Sequence, residues 1–192
     1  MVYTKNLAKH PLTIGLRKSS SWNGNINNGA VVFWDLDQGS WNPDRMSSWF
    51  DNIEKIIYEK SKIRDIHHYG ALNCKVPGRK NWHNTFSDEY IYNDSLWGMR
   101  KACLDVVPCI KQAVDQKLIH AFDDIINNNL NPSLIVVITN DSDFIPLLRK
   151  AKINNINNIH IRWRNNMNEK DIKLIEAADL SFLVDKDEGY II

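Results

Sequence analysis

LIVVITNDSDF, residues 134–144, is a run of five apolar residues that ends in Thr139, Asn140 and the aspartates Asp141 and Asp143. AVVFWDLDQ, residues 30–38, has the same form and ends in Asp35 and Asp37. A strand that is apolar at every position is buried on both faces, as strands of a parallel sheet are. Open α/β sheets keep their ligand sites at the carboxyl ends of their strands. Carboxylates gathered there repel one another unless a cation sits among them, and a divalent metal is the usual one.

Working outward, the chain alternates strand and helix. The first strand is predicted over about 30–36. Asn42-Pro43-Asp44 reads as a helix start, with a capping side chain, a proline in the first turn and an acid close behind. Met46, Trp49, Phe50, Ile53, Ile56 and Ile57 then follow at helical spacing through about Lys60. A second strand fits Arg64 to Leu72, and a helix fits about Ser95 to Cys103. Leu104 to Ile110 reads as a short buried strand. Gln112 to Asn127 is helical, with Val114, Leu118, Phe122, Ile125 and Ile126 on one face. The strand Ser133 to Thr139 precedes a helix striped by Phe144, Leu147, Leu148 and Ala151, with Pro146 tolerated in its first turn. A strand over Asn158 to Trp163, a helix over Glu169 to Ala178 and an edge strand over Leu180 to Val184 complete the order. This alternation predicts an α/β fold with a mainly parallel sheet and helices on both faces.

Length and composition fit that picture. The 192 residues suit one domain with tails, and 43% hydrophobic with 24% charged residues is ordinary for a globular protein. A net charge of +1 argues against a highly basic nucleic-acid coat but not against an acidic pocket with basic ridges. The three cysteines (Cys74, Cys103, Cys109) lack metal-site spacing, and their odd number suits a reducing, intracellular compartment. No apolar stretch reaches the roughly 20 residues of a membrane span, so no membrane partner is expected. Residues 1–29 carry Lys5, Lys9, Arg17 and Lys18 and no acid. They read as a basic flexible tail or a transit segment, which leaves cytoplasmic and organellar, including mitochondrial, locations open. The domain is predicted over 30–185, with a polar insertion at about 74–93 and a C-terminal tail over 186–192.

Asp35 with Asp37, and Asp141 with Asp143, would each face one way if extended. Asp115 stands near the start of a helix after another strand, so all three places can converge at the carboxyl edge. A single aspartate at a strand end can be a helix cap. Two such pairs with a third acid instead suit one or two Mg²⁺ or Mn²⁺ ions bound through hard oxygen ligands, a centre fit for phosphodiester hydrolysis.

Together VVFWDLDQ, KQAVDQKLIHAF (residues 111–122) and LIVVITNDSDF resemble the NYN branch of the PIN-like ribonucleases. Within it they look most like the NYN domain of the animal meiosis-arrest (limkain-type) ribonuclease and its fungal and plant relatives. The resemblance runs from about Gly29 to Val184. It implies a PIN-like three-layer α/β/α sandwich and metal-dependent endonucleolytic cleavage of single-stranded RNA. Asp35, Asp37, Asp115, Asp141 and Asp143 fall on the family's metal-binding acids, with Asp35, Asp115, Asp141 and Asp143 as the catalytic set. Thr139 falls where a Ser or Thr supports them. Three positions depart from the pattern: Gln38 stands where Asn is common, Asn140 where a small residue is usual, and Ala121 where some members carry a further acid, with Asp123 nearby on another face.

An acidic pocket needs basic neighbours to draw in a polyanion. Lys75, Arg79, Lys80 and Trp82 of the insertion offer cations and a stacking ring. Arg162 and Arg164 flank Trp163 at a strand end, and strand alternation turns both arginines away from the tryptophan. His67 and His68, inside a strand, read as packing or surface residues. The partner expected is single-stranded RNA, with a homodimer or a ribonucleoprotein as the possible setting. Two other functions fit parts of the sequence. One is a non-catalytic RNA-binding or assembly module on the same fold. The other is a phosphatase of the haloacid-dehalogenase type with Asp35 as nucleophile, in which Asp115 would have no role.

Overall fold

The computed structural model describes residues 17–18, 26–35, 46–73, 105–109, 114–163, 167–185 and 189–192. The strands are β1 (Arg17–Lys18), β2 (Ala30–Asp35), β3 (Ile66–Asn73), β4 (Asp105–Cys109), β5 (Leu134–Ile138), β6 (Asn157–Arg162) and β7 (Leu180–Leu183). The helices are α1 (Met46–Ser61), α2 (Val114–Asn127), α3 (Ile145–Ile153) and α4 (Glu169–Ala177), with a 3-10 turn over Ser142–Phe144. The predicted start of α1 at residues 42–44, the insertion at 74–93 and the helix at 95–103 lie outside the described residues. None of the described helices is long and apolar enough to cross a membrane.

One seven-stranded sheet runs β1-β3-β2-β5-β6-β7, with β4 also paired to β3. The pairs β2–β3, β3–β4, β2–β5, β5–β6 and β6–β7 are all parallel, and among the described strands β1 pairs antiparallel. The all-apolar strands predicted at 30–36 and 133–139 are the adjacent central pair, and β2 and β5 are buried at every residue.

Alternation along β2 divides the core. Ala30, Val32 and Trp34 point to one face, where Trp49, Phe50, Ile53, Ile56 and Ile57 of α1 cover them. Trp34 packs against Phe50 and Trp49 at ring-centroid distances of 4.8 and 5.9 Å. Val31 and Phe33 point to the other face, under Val114, Leu118, Phe122 and Ile125 of α2, Leu147 and Leu148 of α3, and Leu174 of α4. The result is a three-layer α/β/α sandwich, as the alternation predicted. Fully burying one such large side chain contributes about 1.5–3 kcal/mol, so these two clusters carry most of the stability.

Helix ends follow local chemistry. Lys62 takes a left-handed conformation (φ 61°) that ends α1. Asn168 and Asp171 close a reciprocal capping box at the start of α4. The C-terminal residues fold back along β7, where the Val184–Ile191 bridge and the Ile192 N–H to Leu183 O bond continue the edge.

Residues 26–29 differ from the flexible lead-in that the sequence suggested. Ile26 is buried, Asn27 Oδ1 accepts from the Asn131 N–H at 2.7 Å, and the Asn28 N–H donates to Asn131 O at 3.0 Å. Gly29 is needed where it stands, because a Cβ there would meet Asp65 O at 2.8 Å. Asn27 through its side chain and Asn28 through its backbone tie the entry of β2 to the entry of β5.

Candidate metal centre

Strand order places the site. From β2 the chain moves outward through β3 to β4 on one side, and from β5 through β6 to β7 on the other. The order reverses between β2 and β5, which makes their carboxyl ends the topological switch point, where open α/β sheets keep ligand sites. Asp35 is the last residue of β2, and Thr139 follows the last residue of β5. Register pairs Trp34 with Ile138, so Asp35 and Thr139 lie side by side. Both continue the odd-numbered face, the one covered by α2, and Asp115 is the second residue of that helix.

Thr139 joins the two strand ends. Its Oγ1–H donates to Asp35 Oδ2 at 2.7 Å, and its Oγ1 accepts the Asp141 N–H at 2.9 Å. Thr139 is fully buried, and Asp35 is 1% exposed. Asp141 is extended (φ −99°, ψ 127°) and caps the 3-10 turn, its Oδ1 accepting the Asp143 N–H at 3.0 Å. Asp143 thus lies inside a turn. The two acids are brought together by a capping bond and not, as the sequence suggested, by the alternation of an extended strand. The ligand atoms of Asp115, Asp141 and Asp143 all lie within 4.8 Å of one another. Asp115 and Asp141 are half-buried, and Asp143 is exposed.

Among the predicted acids, Asp35 stands outside this trio and is coupled to it through Thr139. Asp37, Lys75, Arg79, Lys80, Trp82 and Arg164 lie outside the described residues. Arg162 ends β6, half-buried. Trp163 packs with the α1-side cluster, so alternation sends Arg162 to the opposite face, the face of the acids. Asp123 forms an ion pair with Lys150 of α3 at 2.6 Å, and Ala121 is packed into the core.

The histidines of β3 are structural. His68 lies on the α1 face, and its Nδ1 accepts the Trp34 Nε1–H at 3.0 Å. Its Nε2 therefore carries the hydrogen that faces Glu54 Oε1 at 3.1 Å. Burial lowers the His68 pKa against the opposing pull of Glu54, so the contact is a hydrogen bond of a neutral ring more than an ion pair. Burial takes His67 down to about 3.

Two further residues shape the site: Asn140, noted from the sequence only as a departure from the family pattern, and His160, which sequence reasoning passed over. Asn140 Oδ1 accepts the Trp163 N–H at 3.2 Å, which closes the gap between the ends of β5 and β6. His160, fully buried in β6, meets Thr139 O through Nε2 and Ser181 Oγ through Nδ1, both at 3.0 Å. A lone histidine between isoleucines of a buried strand was the available signal for it.

Fold and site together define an α/β/α domain of the PIN-like kind with an acidic centre at its switch point. More narrowly, the chain belongs to the NYN domain family, whose profile matches residues 29–185. NYN domains are generally nucleases, and membership points to a nuclease-like role in RNA processing. The crystal structure of a Vibrio parahaemolyticus protein of unknown function is similar over 86% of this chain and 98% of that one, with 10% identity and a TM-score of 0.47. No curated protein matched in sequence.

Proposed function

We propose that this protein is a metal-dependent endoribonuclease that hydrolyses phosphodiester bonds of single-stranded RNA with Mg²⁺ or Mn²⁺. The carrying observation is the trio of Asp115, Asp141 and Asp143, with ligand atoms within 4.8 Å of one another at the switch point. The donors would fit such an ion: all are hard carboxylate oxygens, gathered at one point where side-chain adjustment could bring them onto a shared cation. Asp115, Asp141 and Asp143 would hold the ion, with Asp35 and Asp37 completing the acidic wall. A divalent ion there supplies charge neutralisation for a phosphate and a water acidic enough to ionise near neutral pH.

The chain's own groups do the rest. Thr139 fixes Asp35 and the Asp141 backbone relative to one another. Asp143, the exposed member, opens the trio to solvent, and substrate would enter from that side. Arg162 on the acid face is suited to a phosphate, and Lys75, Arg79, Lys80, Trp82 and Arg164 would extend the RNA path by charge and stacking. Within the family, the VVFWDLDQ and KQAVDQKL stretches favour the meiosis-arrest branch.

Incubating labelled single-stranded RNA with the protein and Mn²⁺ tests the reading. Internal cleavage should occur, stop in EDTA, and fall about a hundredfold or more in Asp141→Asn, a loss of the size seen when charge stabilisation is removed. Asparagine retains the Oδ1 that caps the 3-10 turn, so the variant should stay folded. Intact RNA with EDTA-resistant binding would replace the nuclease with an RNA-binding module.

A further inference from the structure

Thr139 is held on every polar atom. Its N–H donates to Ile161 O at 3.1 Å, its hydroxyl joins Asp35 to the Asp141 amide, and its carbonyl faces His160 Nε2 at 3.0 Å. A carbonyl oxygen can only accept, so His160 Nε2 must carry a hydrogen. Burial takes the His160 pKa down to about 4, so the ring is neutral at physiological pH and Nδ1 offers a lone pair. Ser181 Oγ–H, 3.0 Å away on the neighbouring strand β7, then donates to Nδ1. One tautomer satisfies both partners: the Thr139 carbonyl selects it, and the serine hydroxyl turns to match it.

From this geometry we propose that His160, held between the Thr139 carbonyl and the Ser181 hydroxyl, is a positioning residue of the acidic centre. The Nε2–H bond orients the Thr139–Asn140 peptide. That peptide leads directly into Asp141, and its orientation decides whether Thr139 Oγ1 can meet Asp35 and the Asp141 N–H together. His160 lies on the same sheet face as Asp35 and Thr139, yet it touches neither Asp115, Asp141 nor Asp143 in any contact described above. It acts through Thr139, and the inference rests on the metal-centre reading for its functional consequence.

The test uses the full chain and two conservative variants. Glutamine can place an amide N–H close to the position of Nε2, whereas asparagine is too short to reach Thr139. Hydrogen exchange of the Asp141 amide reads positioning with no metal or RNA present. It should quicken about tenfold in His160→Asn, the loss of about one neutral hydrogen bond, and stay near wild type in His160→Gln. The Val32 amide in β2 serves as the control for global loosening and should not change. Mn²⁺ affinity, titrated by electron paramagnetic resonance, should weaken about tenfold in His160→Asn and recover in His160→Gln. Should His160→Asn not fold, Ser181→Ala reads the same coupling through a smaller rise in Asp141 exchange.

Unchanged Asp141 exchange in a folded His160→Asn overturns the proposal. So does faster exchange with wild-type Mn²⁺ affinity, because the acidic loop would then not depend on the histidine where it matters. If the wild type itself binds no Mn²⁺ and leaves RNA intact, the nuclease reading fails, and the exchange result alone decides whether His160 positions Asp141.

Discussion

Replacing Thr139 by valine keeps the shape of the side chain and removes its hydroxyl. That hydroxyl is fully buried and takes part in a 2.7 Å bond to the Asp35 carboxylate and a 2.9 Å bond from the Asp141 N–H. A hydrogen bond to a charged group contributes roughly 1.5–3 kcal/mol and a neutral one roughly 0.5–1 kcal/mol, so the variant should lose about 2–4 kcal/mol. Against a total stability of roughly 5–15 kcal/mol, that is a large fraction. Urea unfolding followed by tryptophan fluorescence is a suitable assay, because Trp34 and Trp49 are both buried beside Phe50. With a slope of about 2 kcal/mol per molar urea, the midpoint should fall by about 1–2 M. Thr139→Ser keeps the hydroxyl and should lose only about 1 kcal/mol, the contribution of one buried methyl group. A valine variant within about 0.5 kcal/mol of wild type, or a serine variant as unstable as valine, would refute the claim that the hydroxyl ties the strand ends together.

Histidine burial sets a pH dependence. His160 is lowered to about 4 and His67 to about 3, so each stays neutral in the folded state while the unfolded chain takes up its proton near 6.5. Stability from these groups is fully present above about pH 6.5 and is lost as pH falls toward 4 and 3, at about 1.4 kcal/mol per unit for each ring. Urea midpoints across pH 4–7 should show this slope, and His160→Gln should remove one proton's worth of it. The Asp123–Lys150 pair is 32% and 41% exposed, so Asp123→Ala should lose no more than about 1 kcal/mol, less in high salt, and leave RNA cleavage unchanged. Asp143→Asn removes a like charge within 4.8 Å of its neighbours and should raise the melting temperature in EDTA by a few degrees, a gain of about 1 kcal/mol at water-like screening. Added Mn²⁺ should then stabilise wild type more than the variant, and equal shifts would remove Asp143 from the metal site.

Hydrophobic pattern made the fold legible. Apolar runs at 30–34 and 134–138, each ending in acids, suggested two-face-buried strands, and the faces of α1 and α2 were readable from Trp49, Phe50, Ile53 and from Leu118, Phe122, Ile125 at helical spacing. Convergence of the acids at the carboxyl edge was legible too, but that Asp35 and Thr139 share the face covered by the Asp115 helix follows only from the strand register and the packing. The approach of Asp143 to Asp141 was not legible in that way. Counting assumes an extended backbone, and the chain turns into a 3-10 helix at Ser142. His160 was hidden for another reason: its partners, Thr139 and Ser181, are about twenty residues away on either side and meet it only through strand order.

These contacts also explain why acids can stand at the head of so apolar a sheet. A buried carboxylate or an unmatched amide at the end of β5 would favour unfolding or a rearranged loop. Thr139, Asn140 and His160 meet those demands with neutral groups packed against β6, all held at or below 8% exposure. The carboxylates of Asp115, Asp141 and Asp143 lie toward solvent, half-buried or exposed, where water can screen them in the absence of an ion. Neutral support below and carboxylates above is the arrangement that lets a cation be bound tightly without the fold depending on it. An acidic centre supported instead by buried ion pairs would gain rigidity only by leaving further charges to be matched whenever the metal departs.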